Sequence, residues 1–564
     1  MARKYYYGID LGTTHTLVVK ANKENGEWRY ETLKLPNKPL SSAESVTYTE
    51  LLPSVVYFPR KGTPIVGEHA KRAVHIDPER VYLNSKMDLG SIKQKNTTSN
   101  ETLMNGHTPL EVQKEILKIC YAQIFRDGGA NAQVRISVPA AFTQDERADT
   151  ASAARRAKEE LNYENRDLPT IEEPSAALLN FVINDENTAS NIKIEKDNET
   201  TLMLVDIGGG TMDILIATIS YDPVTQLLNV DYPYAPPKND KFAGATFDYE
   251  LMKKFVDSFC YHHELDYEKD LSRSERELLE KNMLLYAEDA KKFLCENTDK
   301  PYRLTPDFEK LNVDENNPFE INLTKGKMDI DFGKLLNNPN SRSITFYVKK
   351  TLENNNLTSN DIDFVYLTGG MANYDKIAEA IENVVNKPVI VAKEPLFSIA
   401  KGVAVSNIVD VDGEIPQMPQ QFADIFEENE DSKRNVIEMK KNKTVNVQIS
   451  QSQKIGMSYF VDVDGELPVE IIPKEEEYPC FNKRANRQLK TSSQSRMTLA
   501  LYEGYNIYDS NMKVLRQKVI EFDEIIKIGT PIDISYEIDE NKIITIFASI
   551  GGEPPIMFDT KEDD

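Results

Sequence analysis

The chain has 564 residues, several times the size of a typical domain, so more than one hydrophobic core is expected. Hydrophobic residues make up 40% and charged residues 28%, close to the averages of soluble globular proteins, which excludes a wholly disordered or fibrous chain. The net charge of −24 repels nucleic-acid backbones and anionic lipid, so neither nucleic acid nor a membrane is an expected partner.

The cysteines and the N-terminus bear on localisation. The four cysteines show no metal-ligand spacing and are too few for a disulfide framework, so a reducing compartment is expected. The segment Tyr5–Asp10 already predicts a strand where a signal peptide would need an apolar stretch, and no 18-residue apolar run follows it. The sequence therefore predicts a cytoplasmic protein.

Two similar segments each predict a strand, a glycine turn and a second strand. They are Tyr7–Thr14, with sequence YGIDLGTT, and Leu204–Thr211, with sequence LVDIGGGT. Glycine lets the backbone approach a ligand closely, and successive turn N–H groups form a concavity that accommodates phosphate oxygens. Either segment alone could be a simple tight hairpin. As a pair they predict two similar lobes that clamp one polyphosphate between them.

An aspartate ends the first strand of each segment. A carboxylate beside phosphate oxygens would be repelled unless a cation lay between them, and Mg²⁺ is a cation that binds carboxylates while keeping several of its waters. Asp10 and Asp206 therefore predict a magnesium ion that is held largely through its water molecules.

Capping signals predict two long helices. Thr108–Glu111 combines a capping box with proline at the first helical position. Ser272–Glu275 repeats the capping box, and its helix is expected to run to about Phe293. A helix of that length can deliver its C-terminal residues to a distant site.

A third glycine segment is Phe364–Met371, with sequence FVYLTGGM. It predicts a strand that runs into two glycines and then a helix from about Tyr374. Backbone of this kind can pass flat against a nucleoside. The same pattern is also typical of ordinary packing or capping, so it carries little weight by itself.

The character of the sequence changes near residue 405. Residues 1–405 alternate short β-branched runs with helical patterns, which predicts an α/β domain. Residues 406–442 contain Pro416, Pro419 and the acidic run EENED at 427–431, which predicts a linker. Residues 443–564 predict an antiparallel β-sandwich. Its strands are expected at Val445–Ile449, Gly456–Val461, Met497–Tyr502, Ile532–Ile538 and Ile543–Ile550.

The three glycine segments, in this order, resemble the phosphate-one, phosphate-two and adenosine motifs of the actin and sugar-kinase superfamily. Within it, the chain most resembles the 70-kDa heat-shock chaperones. The matching segments are Leu83–Lys86, Ile136–Phe142 with Arg147, Glu172–Ala177, Lys454–Gly456 and Leu501–Gly504. The resemblance implies a two-lobed actin-like (ribonuclease H-like) ATPase domain followed by an antiparallel β-sandwich that binds substrate.

The resemblance also implies roles for individual residues. The catalytic group comprises Lys86, Glu173, Asp206, Thr211 and Asp10, and Asp10 and Asp206 would also hold the metal through water. The phosphate-binding group comprises Gly12, Thr13, Thr14, Gly208, Gly209 and Gly210. The adenosine-binding group comprises Glu288, Lys291, Lys292, Cys295, Gly369, Gly370, Met371 and Asn373.

Two further groups concern the substrate domain. Pro139 and Arg147 resemble the switch pair that couples nucleotide state to the second domain, although Pro139 could simply end a strand. Phe460, Met497 and Leu499 align roughly with the peptide cleft of the family and are expected to contact extended apolar segments. The same three residues could equally be ordinary sandwich core.

The chain departs from the family pattern in its adenosine-binding group. Lys292 and Cys295 stand where arginine and serine are usual, and Met371 and Asn373 replace a serine and an arginine. Lysine cannot stack on adenine as a planar guanidinium does. We therefore expect either a nucleotide affinity below the family norm or a looser selection of the base, with ATP still the expected nucleotide.

Other departures concern regulation. Pro169 stands where many members have an arginine that engages J-domain proteins, and residues 406–442 lack the usual leucine-rich motif. The sequence ends at Asp564, before the helical lid of the family would begin, so rapid peptide release is expected.

The resemblance implies a stress-response chaperone with slow ATPase activity that uses ATP/ADP and Mg²⁺, with K⁺ as a further ion. Its expected partners are unfolded or extended polypeptides, a J-domain cochaperone and a nucleotide exchange factor. The altered adenosine group leaves an alternative open, namely a nucleotide-sensing scaffold, exchange factor or holdase with little ATPase activity. A filament-forming actin relative and a sugar kinase are weaker alternatives, because neither explains the β-rich C-terminal region.

Overall fold

The computed structural model forms two α/β lobes followed by a β-rich domain. It describes residues 5–24, 27–37, 45–90, 106–128, 132–164, 167–184, 199–222, 227–234, 241–306, 308, 311, 317–338, 340–412, 446–449, 453–504, 506–508, 512–522 and 524–557. Across these ranges, none of the helices has the length and apolar character that spanning a bilayer requires.

The first lobe is built on a mixed sheet with strand order β11-β10-β1-β2-β3, in which β6 also pairs with β2. Its strands are β1 Tyr5–Leu11, β2 His15–Glu24, β3 Glu27–Thr32, β4 Leu35–Asn37, β5 Thr47–Thr49, β6 Leu52–Pro53, β7 Val56–Tyr57, β8 Ile65–Val66, β9 Val81–Tyr82, β10 Ala132–Val138 and β11 Ile171–Glu172. Its helices are α1 Glu68–Arg72, α2 Pro109–Gly128, α3 Gln144–Glu160 and α4 Glu173–Asn184. A short 3₁₀ helix, Ser85–Asp88, follows β9.

The second lobe repeats this arrangement with strand order β18-β17-β12-β13-β14-β19. Its strands are β12 Thr200–Ile207, β13 Met212–Asp222, β14 Leu227–Asp231, β15 Tyr302–Leu304, β16 Ile321–Leu323, β17 Phe364–Thr368, β18 Val389–Val391 and β19 Asn446–Ile449. Its helices are α5 Gly244–His262, α6 Arg273–Glu296, α7 Lys325–Leu336, α8 Ile344–Asn354 and α9 Asp375–Val385. The next helix, α10 Ser398–Asp412, returns to the first lobe and packs on β1, β2, β10 and α4.

The repeat that the sequence predicts is present in the fold. Each sheet contains an antiparallel hairpin, β1–β2 or β12–β13, whose first strand also pairs in parallel with β10 or β17. In each case the glycine turn closes the hairpin at the end of the strand that carries Asp10 or Asp206. The actin-like α/β fold expected from the sequence is confirmed.

Both predicted capping boxes form. The Thr108 N–H donates to the Glu111 carboxylate at 2.8 Å, and the Glu111 N–H donates to Thr108 Oγ1 at 3.1 Å. Ser272 and Glu275 make the same exchange at the start of α6. This helix runs to Glu296, slightly beyond the predicted Phe293, so that its last turns reach the cleft between the lobes.

The C-terminal region is the predicted antiparallel β structure. Its strands are β20 Gln453–Lys454, β21 Ser458–Val463, β22 Val469–Ile472, β23 Glu477–Tyr478, β24 Cys480–Arg484, β25 Leu489–Lys490, β26 Arg496–Gly504, β27 Lys513–Glu521, β28 Pro531–Ile538, β29 Ile544–Ile550 and β30 Ile556–Met557. One sheet has the order β22-β21-β26-β27 and a second has β24-β28-β29-β30. Alternating apolar residues of β28 and β29 face the core shared with the first sheet.

The structure corrects two expectations around the predicted linker. Residues 406–412 continue α10, whereas the sequence placed the linker start at 406. Strand β19, predicted as the first strand of the sandwich, instead pairs in parallel with β14 and extends the sheet of the second lobe. Residues 413–445, with Pro416, Pro419 and the acidic run at 427–431, lie outside the described residues.

Candidate functional site

One cavity of about 530 Å³ lies between the two lobes. Every residue that the sequence assigned to the catalytic, phosphate-binding and adenosine-binding groups contributes to its wall. The remaining lining residues are His15, Leu17, Leu51, Gly244, Asp248, Glu296, Tyr374, Pro395, Leu396 and Ile399. Residues from distant parts of the chain thus converge on one enclosed space, although their individual roles stay predictions.

The two glycine turns lie directly against each other. A Cβ atom built on Gly209 would lie 2.0 Å from Thr14 Oγ1, and one on Gly210 would lie 2.3 Å from Thr13 Oγ1. Real Cβ atoms do not approach other atoms so closely, so glycine is required at both positions. The hairpin of one lobe therefore faces the hairpin of the other across the cavity, as the paired motifs predicted.

Lys86 and Glu173 form a buried ion pair within the cavity. Lys86 Nζ donates to Glu173 Oε1 at 2.7 Å, and the two side chains are 3% and 6% exposed. Lys86 lies in the 3₁₀ helix after β9, and Glu173 is the first residue of α4. An ammonium group that is shielded from water in this way interacts strongly with any charge that develops beside it.

A cluster of carboxylates lies next to this ion pair. One ligand oxygen from each of Glu173, Asp206 and Asp213 lies within 4.8 Å of the others. Among the described residues, Asp206 Oδ1 and Asp213 Oδ2 accept no hydrogen bond. Asp10, at the end of β1, accepts a hydrogen bond from Ser137 Oγ at 3.2 Å.

Burial and mutual repulsion raise the pKa values of these carboxyl groups. Burial, followed by the Glu173 charge, raises the pKa of Asp10 to about 7 and that of Asp213 to about 7. The same two causes raise the pKa of Asp206 well above its usual range. Buried carboxylates are stable in the ionised form only when cations neutralise them. Unsatisfied oxygens converging from several strands fit a divalent cation, since Mg²⁺ takes oxygen ligands.

The raised pKa of Asp213 predicts a pH-dependent stability. Its folded value of about 7 exceeds the ordinary 3.8, so its protonation stabilises the fold at acid pH and this contribution is lost as the pH rises through 7. Without Mg²⁺, we expect the free energy of unfolding of Asp213→Asn, relative to that of the wild type, to increase by roughly 3 kcal/mol from about pH 5 to about pH 8. Thermal unfolding measures this difference. An Asp213→Asn variant that parallels the wild type at both pH values would contradict the assignment.

At the other end of the cavity, α6 presents a group of charged side chains. Lys71 of α1 donates to Glu288 at 2.8 Å, and Lys292 donates to the same carboxylate at 2.6 Å. Burial opposes ionisation, but the two ammonium groups outweigh it and hold the pKa of Glu288 well below its usual range. Lys291 is paired with Asp248 at 2.7 Å. The predicted adenosine-binding lysines are therefore already held by carboxylates.

The Lys71–Glu288 contact joins the two lobes beside the cavity, so its loss should ease opening of the cleft. We expect Lys71→Met to speed dissociation of a bound nucleotide by about tenfold, the value of one charge-assisted hydrogen bond. Stopped-flow displacement of a fluorescent ATP analogue measures this rate. Lys376→Met is the matched control, because Lys376 pairs with Glu379 within one lobe. Equal dissociation rates in the two variants would show that the bridge does not hold the cleft.

The adenosine segment lies close to the carboxylate cluster. Gly369 follows β17 with a φ of 86°, and a Cβ there would lie 2.4 Å from Asp206 Oδ1. Met371 is buried, Asn373 is exposed, and Cys295 is half-buried. Burial raises the pKa of the Cys295 thiol to about 11, so this side chain is neutral at physiological pH.

The predicted switch pair lies outside the cavity, between the lobe and the sandwich. Pro139 directly follows β10, and its carbonyl accepts from Arg147 Nη2 at 3.4 Å. The same guanidinium donates to Ala140 O at 3.0 Å and to Glu172 Oε1 at 2.7 Å. Arg147 thus ties the end of β10 to β11, but its role as a switch stays a prediction.

The three predicted peptide-binding residues are enclosed in the sandwich. Met497 and Leu499 belong to its hydrophobic core, and Phe460, on the opposite face of β21 from the core residue Tyr459, is 3% exposed. Since each of the three is at most 3% exposed, none lines an open groove among the described residues. The placement of Met497 and Leu499 corresponds to ordinary sandwich core, and peptide contact at all three positions stays a prediction.

Sequence reasoning missed several residues in or beside the cavity. Asp213 near the start of β13 was not among the predicted site residues, although in the hairpin register it lies directly opposite Asp206. Asp248 and Lys71 carry no local motif, and only the fold brings them to the cavity. His15, which follows the first glycine turn, could have been found from its position next to Thr14.

The comparison with known families agrees with this geometry. The family described as Hsp70 protein matches residues 6–454 of the 564 residues. The match spans both lobes, the strand β19 and the first strand of the sandwich. Members of this family are chaperones that bind ATP or ADP with Mg²⁺, hydrolyse ATP and bind unfolded polypeptides together with cochaperones. The chain belongs to the Hsp70 family.

Proposed function

We propose that this chain is an ATP-dependent molecular chaperone that hydrolyses ATP slowly and thereby controls the binding of unfolded or extended polypeptide segments. The observation that carries the proposal is the convergence of two glycine turns, a buried lysine and a cluster of buried carboxylates on one cavity. The turns suit phosphate oxygens, and the carboxylates suit the accompanying metal ion.

In the proposed site, each lobe contributes one half of the phosphate-binding surface. Backbone N–H groups of Gly12–Thr14 and Gly209–Thr211 would orient the phosphates, and Asp10, Asp206 and Asp213 would hold Mg²⁺ largely through water. The bound metal supplies charge that offsets the phosphates. Lys86 would donate charge-assisted hydrogen bonds to the transferred group, and its ion pair with Glu173 would keep the ammonium in place. Positioning and electrostatic stabilisation are the expected source of catalysis.

The β-sandwich is the proposed client-binding domain. It packs on the first lobe near Arg147, and β19 adds to the second lobe. Nucleotide binding that alters either lobe would therefore alter these contacts as well. We therefore expect the affinity for a client to differ between the ATP-bound and ADP-bound states, because energetic coupling between two binding sites acts in both directions.

The proposal is tested by measuring phosphate release from Mg-ATP by the full chain, with and without a chemically unfolded polypeptide. We expect slow turnover that needs Mg²⁺, and client affinity that differs between ATP and ADP. Absence of Mg²⁺-dependent turnover would refute the ATPase claim. Equal binding of unfolded and native polypeptide would refute the chaperone claim.

A second candidate is a nucleotide-sensing scaffold, exchange factor or holdase that binds ATP and scarcely hydrolyses it. Two features of the adenosine end of the cavity favour this candidate. Lys292 already forms an ion pair with Glu288, and Met371 stands where the family usually has a serine. This candidate predicts nucleotide-dependent client binding with no turnover above that of a Lys86→Ala variant. The assay above therefore distinguishes the two.

A further inference from the structure

The two-residue edge strand β11 directly precedes Glu173, the partner of Lys86. Among the described residues, β11 pairs only with β10, through Ser137↔Ile171 and Val138↔Glu172. So short a strand contributes few backbone hydrogen bonds, and such segments open locally at low free-energy cost. The position of Glu173, which directly follows β11, therefore depends on the side-chain contacts around the strand.

The sandwich holds both sides of this strand through the turn between β28 and β29. Asn541 Oδ1 accepts from the Thr170 backbone N–H at 2.8 Å and from its hydroxyl at 3.1 Å. Lys542 Nζ donates to Glu172 Oε1 at 3.1 Å. Two consecutive turn residues of the sandwich thus flank β11, one before the strand and one at its last residue.

Lys542 occupies an unfavourable position in two respects. Its φ is 61°, in the left-handed region where a side chain is strained and glycine is favoured. Its side chain is 6% exposed, and its ammonium lies 5.4 Å from the centroid of the Tyr478 ring. Burial lowers the pKa of Lys542 despite the attraction of Glu172. Strain of this kind persists where surrounding contacts outweigh it.

The charge of Glu172 does not explain why a lysine stands at position 542, because Arg147 already pairs with the same oxygen at 2.7 Å. The turn between β28 and β29 does not require a lysine at this position either, because glycine would adopt the same backbone conformation without strain. What the lysine adds is a second cation at Glu172, and this cation comes from the other domain. The Lys542 ammonium holds the Glu172 carboxylate in place from the side of the sandwich. It thereby also holds the junction between β11 and α4.

We propose that Lys542 is a positioning residue of the nucleotide site: through Glu172 it holds the start of α4, so that Glu173 keeps the Lys86 ammonium in place. The site is thereby completed by a residue of the sandwich. The expected effect on turnover rests on the proposed ATPase function, whereas the effect on the local backbone does not.

The kinetic test uses the full chain with Lys542→Met, Lys542→Arg and Lys542→Gly. We expect Lys542→Met to lower kcat by about tenfold while the KM for ATP changes by less than about twofold. Lys542→Arg should restore most of the rate, because a guanidinium can still donate to Glu172. Lys542→Gly removes the backbone strain, so it should fold at least as stably as the wild type and still lose the rate.

Lys483→Met is the matched control. Lys483 is a half-exposed lysine of the same domain that pairs with Glu476 at 3.2 Å, and among the described residues its side-chain hydrogen bond and ion pair stay within the sandwich. It should leave kcat unchanged. Equal kcat values for Lys542→Met and Lys483→Met would overturn the proposal, and so would a Lys542→Met variant that loses rate only through a lower folded fraction.

Hydrogen exchange provides a readout that does not require turnover. The backbone amides of residues 171–173, 175 and 176 should exchange about tenfold faster in Lys542→Met than in the wild type, while those of β1 remain unchanged; Pro174 has no amide hydrogen. If the wild type shows no turnover, the proposed function fails, and the exchange result alone decides the role of Lys542. Unchanged exchange at residues 171–176 would overturn that role.

Discussion

Lys86→Ala is expected to reduce the turnover of ATP by roughly 10²- to 10³-fold, the loss found when one preorganised electrostatic donor is removed from an active site. The substitution deletes an ammonium that is 3% exposed and leaves Glu173 without its cation. Affinity for Mg-ATP should change far less, because the glycine turns and the remaining carboxylates are untouched. Single-turnover phosphate release together with equilibrium binding separates the two effects.

Lys114→Ala provides the control for this prediction. Lys114 pairs with Glu115 and Glu160 on α2 and α3, outside the cavity, and its replacement should leave turnover unchanged. A Lys86→Ala variant with wild-type turnover would remove Lys86 from the catalytic group. A variant that loses binding and turnover equally would make Lys86 a nucleotide-binding residue instead.

Glu172→Gln should produce the largest loss of stability. Glu172 is 5% exposed and accepts from both Arg147 and Lys542, at 2.7 Å and 3.1 Å. The amide has nearly the same shape but no charge, so two buried cations lose their counterion. Breaking a buried ion pair in this way typically costs about 3–5 kcal/mol, and we expect a loss of this size in the free energy of unfolding.

Denaturant unfolding of the full chain measures this loss, with Glu159→Gln as the control. Glu159 forms an exposed ion pair with Arg155 on α3, and its replacement should cost less than about 1 kcal/mol. If Glu172→Gln unfolds at the wild-type denaturant concentration, the cluster between Arg147, Glu172 and Lys542 does not contribute to the stability of the docked domains.

Local motifs made much of the fold predictable. The hairpins around Asp10 and Asp206, the capping boxes at Thr108 and Ser272, and the alternating pattern of β28 and β29 depend on residues close together in the sequence. Each of these features carries its own hydrogen-bond or packing signal. Their structures agree with the predictions to within a few residues.

Contacts between distant segments could not be predicted in the same way. Strand β19 has the residue pattern of any short strand, and this pattern does not indicate whether the strand pairs with β14, as it does, or with a strand of the sandwich. The pairing of Lys71 with Glu288 and of Lys542 with Glu172 joins residues separated by 217 and 370 positions. Such pairs follow from the tertiary fold, and their residues look like ordinary surface charges in the sequence.

The central claim is that the two glycine turns and the carboxylates between them bind one magnesium-bound triphosphate. Isothermal titration calorimetry of the full chain with ATP, in the presence and absence of Mg²⁺, tests it most directly. We expect one binding site per chain with Mg²⁺, and markedly weaker binding both without the metal and in a Gly209→Val variant, whose side chain would collide with Thr14. Binding that is absent, or that is indifferent to both Mg²⁺ and Gly209→Val, would contradict the account.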